Sequence, residues 1–336
     1  MIVKEIPVNS AEVEGSHSDF PVYINPSEMT GWDSLTTAEA ESLRFYTDEA
    51  LINEIPREIV SATEQHVLVP SLTTTTKIYA SYDGIRSDYN TDDTYGAEAV
   101  WDNYLVASHN GGASDSTGNS TPTVHNSVSS GAASGVTGTA TEYNGSDQAV
   151  DFNSVAGGLD TSNSYTLSVW AKRVGAGGGT RLYIWGFGQT SESTPIAGIN
   201  HDRNTNANRA RWFNSVGGGA TSTTEVPTTH FIKITARVDS GSSALLVNGG
   251  ADKSTMDGAS TASFSALLIG ATQQTSRSNF FRGFVANAYC RQGVTTDDWE
   301  ETEYNNQNDV ASFWGTVTDV TPATTLQASA GFFTIS

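Results

Sequence analysis

Apolar and polar residues alternate along many short segments of this chain. In the stretch 19–25, Phe20, Val22 and Ile24 fall on one face, and Leu43, Phe45 and Thr47 alternate in the same way. Between Lys77 and Tyr82, Ile78, Ala80 and Tyr82 share a side. The pattern returns further on. Tyr165, Leu167, Val169 and Ala171 line one face, Ile232, Ile234, Ala236 and Val238 another, and 244–247 runs into the tight-turn pair Asn248-Gly249. Segments 266–269 and 281–290 add two more strands. A period of two, broken by turn residues, marks half-buried antiparallel strands. Thr36–Ser42 predicts one or two helical turns. A second helix start lies near the end. Thr295 is the expected cap with Asp298 three residues on, Val294 and Trp299 occupy staple positions, and the acids 297–301 suit the positive end of the helix dipole. This helix is expected to run to about Asn305.

The predicted fold is all-β, with two β-sandwich domains, the second a jelly roll carrying one short C-terminal helix. The expected divisions are an acidic domain over 1–110, a Ser/Gly/Thr-rich linker over 111–140, the jelly roll over 141–314 and a tail over 315–336. The tail ends in the apolar run Gly-Phe-Phe-Thr-Ile, a candidate docking segment.

Composition sharpens this. Hydrophobic residues make up 37% of the chain and charged residues 16%, so Ser, Thr, Asn and Gly must supply most of the polar surface. The net charge is -20. Residues 1–110 hold 19 acidic and 5 basic side chains, and the remainder 18 and 12, so the acidity concentrates in the first domain. Nucleic acid is not an expected partner, because phosphate binding needs clustered Lys and Arg. No run approaches the length of a membrane span, and Met1–Ser10 lacks the basic region and apolar run of a signal peptide. Cys290 stands alone in an apolar strand and reads as a core residue.

Candidate chemistry is sparse. None of His17, His66, His109, His125, His201 and His230 pairs with another at short metal-ligand spacing, and His109 reads as a packing or turn residue. There is no Gly-x-Ser-x-Gly elbow. No catalytic residues are expected. The best binding candidate is the stretch 199–213, rich in side chains that make forked hydrogen bonds. Trp212 and Trp185 could stack on sugar rings, and His201 or Arg203 could hold an anionic glycan. The competing reading is a polar hairpin with Trp212 in the core.

The second domain resembles the concanavalin A-like, laminin-G-like superfamily. The residues that carry the resemblance are Tyr-Thr-Leu-Ser-Val-Trp-Ala-Lys at 165–172, the strand 231–238, Leu-Leu-Val-Asn-Gly at 245–249, Phe-Arg-Gly-Phe-Val-Ala-Asn-Ala-Tyr at 281–289 and the block 294–305. His230-Phe231 departs from the Trp-His pair that many members carry. The first 120 residues resemble a bacterial and phage family, domain of unknown function 2341. That resemblance rests on 19–22, 43–46, 53–59, 67–72, 77–84, Val-Trp-Asp-Asn-Tyr at 100–104 and Asp-Ser-Thr-Gly-Asn at 115–119.

The first resemblance implies a Ca²⁺ site at the sandwich rim, with Asp147, Asp151 and Asp160 as candidate ligands, or else as simple solvated acids. Hydrolases of this fold need two carboxylates close in space, and no Glu-x-Asp-x-Glu run occurs in the second domain. Together the resemblances imply a non-enzymatic virion surface protein of a phage, with virion proteins, further copies of itself and a cell-surface glycan as expected partners. A bacterial extracellular adhesin is the alternative, and a glycan hydrolase the third reading.

Overall fold

A computed structural model describes residues 1–156, 159, 163–175, 181–189, 197–202, 208–214, 218–239, 242–257, 264–273 and 276–321. The chain folds into two β units, and every paired strand ladder described is antiparallel.

The first unit faces a three-stranded sheet, His17–Ile24, Glu64–Leu72 and Arg57–Ser61, with a five-stranded one. The larger sheet runs in the order Thr318–Asp319, Ile2–Pro7, Lys77–Tyr82, Arg44–Tyr46, Glu54–Ile55. Phe20, Val22, Ile24, Ile78, Ala80 and Tyr82 point into its core, as their alternation predicts. Thr37–Glu41 is helical. Thr36 accepts from the Glu39 amide, and the Glu39 carboxylate accepts from the Thr36 amide, a reciprocal cap.

The second unit is a two-sheet sandwich. One sheet orders as Ser129–Ser134, Thr139–Asn144, Arg282–Gln292, Tyr165–Arg173, Ile232–Asp239, Ser242–Val247, Asp252–Asp257. Tyr104–Ser108 also pairs with Arg282–Gln292. The facing sheet orders as Gly218–Glu225, Arg209–Asn214, Ala197–Asp202, Arg181–Gly188, Ala266–Ile269, Ala149–Asp151, Thr123–His125. Cys290 is fully buried in the core between them.

Three expected boundaries differ from the structure. The stretch 111–140, expected as a linker, supplies an edge strand to each sheet, at 123–125 and 129–134. Small polar residues can pair at a sheet edge through the backbone alone, which an apolar pattern cannot reveal. The strand 104–108, placed in the first domain by sequence, hydrogen-bonds into the second unit. The C-terminal segment crosses back. Trp299, Val310, Phe313, Trp314 and Val317 complete the first core, and Thr318–Asp319 adds a strand to its sheet. The rest of the proposed docking tail, 322–336, lies outside the described residues.

The helix Asp297–Asn308 makes this crossing. Its cap is Thr296, one residue later than expected, accepting from the Trp299 amide at 3.1 Å. A helix polar on all sides has no single apolar stripe to bury. Here two rows at i, i+3, i+7 meet different partners. Trp299, Thr302 and Asn306 face the first unit. Trp299 packs on Phe20 at 4.4 Å, the Glu14 amide donates to Thr302 at 2.9 Å, and the Asn306 side chain bonds both the amide (2.6 Å) and the carbonyl (3.0 Å) of Tyr23. Glu300, Glu303 and Gln307 face the second. Lys233 Nζ pairs with Glu300 at 3.0 Å and with Glu303, and Trp170 Nε1 donates to Gln307 at 2.6 Å.

Candidate functional site

Two places bring chemistry-bearing side chains together. The first is an open pocket of about 460 Å³ at the rim of the second unit, lined by residues 118–121, Thr123, Asp151, Asn153 and Ser154. One wall is the loop 115–120, which Asp115 organises. Its carboxylate accepts from the amides of Ala107 (3.0 Å), Thr117 (3.2 Å) and Ser120 (3.0 Å) and from the Thr117 hydroxyl (2.9 Å). Burial holds the Asp115 carboxyl above its ordinary pKa, against the pull of those donors. Asn119 Nδ2 donates to the Tyr104 carbonyl, fixing the loop to the neighbouring strand.

The other wall is the end of the strand Ala149–Asp151 and the short helix Asn153–Ala156. Asn153 Oδ1 accepts from the Leu267 amide, and the Ser154 hydroxyl donates to Ser120 Oγ at 2.9 Å, joining the walls. Asp151 is nearly buried. Its carboxylate lies 2.6 Å from His125 Nε2, which itself lies 2.7 Å from an Arg277 guanidinium nitrogen. The pocket therefore offers one anchored carboxylate, two amides and several hydroxyls on a braced frame.

The second place is the seam between the units, where the sequence pointed to nothing. Glu64 and His66, on the strand Glu64–Leu72, meet His109, which follows the strand Tyr104–Ser108. All three are buried, and one ligating atom from each lies within 4.8 Å of the others. The His66 and His109 rings stack at 4.4 Å with their planes 20° apart. Glu58 Oε2 sits 2.8 Å from His109 Nε2 and accepts from Trp101 Nε1 at 2.6 Å, while Oε1 accepts from the Ser116 hydroxyl at 2.5 Å. Burial alone would raise the Glu58 pKa; the two histidines and Ser116 outweigh it and hold the carboxyl down at about 2. Thr137 donates to Glu64 at 3.2 Å and is gripped by Asn287. Asn287 takes a positive φ of 43° in a bulge of the strand Arg282–Gln292, and its amide donates to the His109 carbonyl at 2.9 Å. The bulge also switches the parity of that strand, so Val285 and then Ala288 and Cys290 face the core.

The expected binding residues stand apart from both places. Trp185 and Trp212 are fully buried on the inward face of their sheet, so neither ring offers a face to a sugar. His201 is also fully buried, with its ring edge-on to Phe281 at 5.8 Å. Arg203 and Asp160 lie outside the described residues. Of the expected Ca²⁺ ligands, Asp147 is exposed in a turn with Asn144, and Asp151 is engaged with His125. Among the described residues neither belongs to a set of three ligating side chains. Ca²⁺ takes six or more oxygens, and these residues do not assemble them. Asp151 instead lines the rim pocket.

Residues 144–297 match the family model described as the concanavalin A-like lectin/glucanases superfamily, Laminin_G_3. No curated protein matches the chain. Among solved structures, domain 4 of AbnA, a GH43 extracellular arabinanase from Geobacillus stearothermophilus in complex with arabinotriose, is similar at 18% identity and TM-score 0.45, over 62% of this chain and 98% of that one. The botulinum neurotoxin type G receptor binding domain is similar at 13% identity and TM-score 0.45, over 61% of this chain and 51% of that one. Trypanosoma rangeli sialidase in complex with DANA is similar at 13% identity and TM-score 0.43, over 60% of this chain and 32% of that one. The chain thus spans about half of the toxin domain and about a third of the sialidase. The second unit of this protein is a concanavalin A-like jelly roll.

Proposed function

We propose that this chain is a non-catalytic attachment protein whose concanavalin A-like unit binds a glycan in the rim pocket between residues 118–123 and 151–154. The observation that carries the reading is the lining: Asp151, Asn119 and Asn153 among the hydroxyls of Ser120, Thr121, Thr123 and Ser154. Sugar hydroxyls both donate and accept, and carboxylate, amide and hydroxyl groups on a fixed frame complement them. Asp151 is the one carboxylate in that lining, whereas glycoside hydrolysis canonically uses two. This supports binding over cleavage.

The setting we propose is the surface of a phage particle. Support comes from the motif order in residues 1–120, which resembles a family found beside laminin-G-like domains, and from the net charge of -20, which favours solubility in a crowded array. Further copies of the chain or other virion proteins are the proposed partners there.

Retention on a glycan panel tests the binding site. Asp151→Asn and Asn119→Ala should each weaken retention about tenfold or more, the loss of one well-placed hydrogen bond to or from a sugar, with the unfolding midpoint unmoved by more than a few degrees. Equal retention by both variants would sink the pocket assignment, and sugar release would overturn the non-catalytic reading. Absence from purified particles would move the setting to a bacterial surface.

A further inference from the structure

We propose that Glu64, His66 and His109 form a binding site for a first-row divalent metal ion of the Zn²⁺ class, placed as a clasp across the seam between the two units. The donor set is the first ground. Two imidazoles and one carboxylate are common Zn²⁺ ligands, and here their ligating atoms already lie within 4.8 Å of one another. Bond lengths of about 2.0–2.2 Å put tetrahedral ligand atoms about 3.3 Å apart. Closure around an ion therefore asks the side chains to approach by about 1.5 Å at most, within the reach of small χ rotations.

The second ground is an unsatisfied group aimed into the cluster. His66 is 1% exposed, and its Nε2 has no hydrogen-bond partner among the described residues; Glu64 Oε1 lies 3.7 Å away. Buried polar atoms are almost always bonded, so this nitrogen calls for an explanation. That separation is too long for a hydrogen bond and suits two ligands of one ion. The His66 and His109 rings stack at 4.4 Å, and a ligating atom of each lies within 4.8 Å of the Glu64 carboxylate.

The third ground is the surrounding shell. Metal-bound histidines and carboxylates are oriented by outer partners. Thr137, held by Asn287, donates to Glu64, and Glu58, 2.8 Å from His109 Nε2, would orient that ring when Nδ1 ligates in place of its 3.3 Å contact with Tyr289 Oη.

The position gives the ion a purpose. Glu64 and His66 belong to the first unit, while His109 extends from a strand hydrogen-bonded into the second. An ion bound by all three would tie one unit to the other on the side of the strand Glu64–Leu72, complementing the helix Asp297–Asn308.

The full chain should be stripped with a chelator, checked for folding by circular dichroism, and reloaded with Zn²⁺, Co²⁺ or Ni²⁺. Mass spectrometry of the desalted protein should find about one ion per chain, Co²⁺ should give the visible absorption of a low-coordinate site, and Zn²⁺ should raise the unfolding temperature. His66→Gln and Glu64→Gln should each weaken retention at least tenfold, while His230→Gln, at an exposed histidine, should leave it intact. Should His66→Gln fail to fold, Glu64→Gln, which keeps shape and removes charge, decides the matter. Failure of the folded, stripped chain to retain any of the three ions overturns the proposal, as does retention unchanged in both variants. In either case the cluster is a hydrogen-bonded seam without metal.

Discussion

Replacement of Trp212 by Ala separates a stacking platform from a core residue. Trp212 is fully buried on the strand Arg209–Asn214, opposite Ile199 and Ala220, with its ring edge-on to Phe187 at 6.4 Å. Truncation returns about 200 Å² of apolar burial, which at about 25 cal/mol per Å² is about 5 kcal/mol. One feature offsets part of this. The indole nitrogen has no hydrogen-bond partner among the described residues, so its loss relieves about 1 kcal/mol of polar burial. The net expectation is about 4 kcal/mol, inside the range of about 3–5 measured for such truncations. With a urea dependence of about 2 kcal/mol per M, the unfolding midpoint of the second unit should fall by about 2 M. A urea titration followed by circular dichroism, fitted for the transition of that unit, reads this directly. A fall of less than about 0.5 M, together with lost glycan retention, would refute the reasoning and return Trp212 to the surface as a ligand platform.

Two further outcomes are expected. Lys233→Ala strands Glu300 and Glu303 in the interior; removing one partner of a buried ion pair costs about 3–5 kcal/mol, so thermal unfolding should show a large loss, and a loss below about 1 kcal/mol would mean water reaches the carboxylates. Asp297 accepts from Lys253 and from Arg237, and these bonds hold its pKa below the ordinary carboxylate value. A depressed folded pKa contributes stability that is present above the unfolded value, about 3.9, and lost as pH falls through the folded one. The difference in unfolding temperature between the wild type and Asp297→Asn should therefore shrink as pH drops from about 5 to about 2, and a difference independent of pH would show that the bonds to Asp297 contribute nothing.

The strands were legible because their periodicity is local. Alternation at 20–24, 78–82, 165–171 and 232–238 is written in consecutive residues, and each of those faces is buried as expected. The capping box at Thr36 and Glu39 is likewise a relation three residues long. The sequence by itself determined the all-β class, the two units, the tight turn at 248–249 and a capped helix near the end.

Only the tertiary structure decided where these pieces meet. The helix 297–308 carries two polar rows of the same spacing, and nothing local says that Asn306 meets Tyr23 while Gln307 meets Trp170. Trp185 and Trp212 read equally well as platform or core, because a two-residue period fixes that a side chain shares a face, not whether that face is covered. The seam cluster shows the same limit. His66 and His109 are far apart in sequence and fit no short metal spacing, yet a strand pairing and a bulge at Asn287 bring their rings into contact. Local periodicity encodes which residues turn inward together. Contacts between distant segments depend on sheet register and on which surface covers which, and those follow from packing the whole chain.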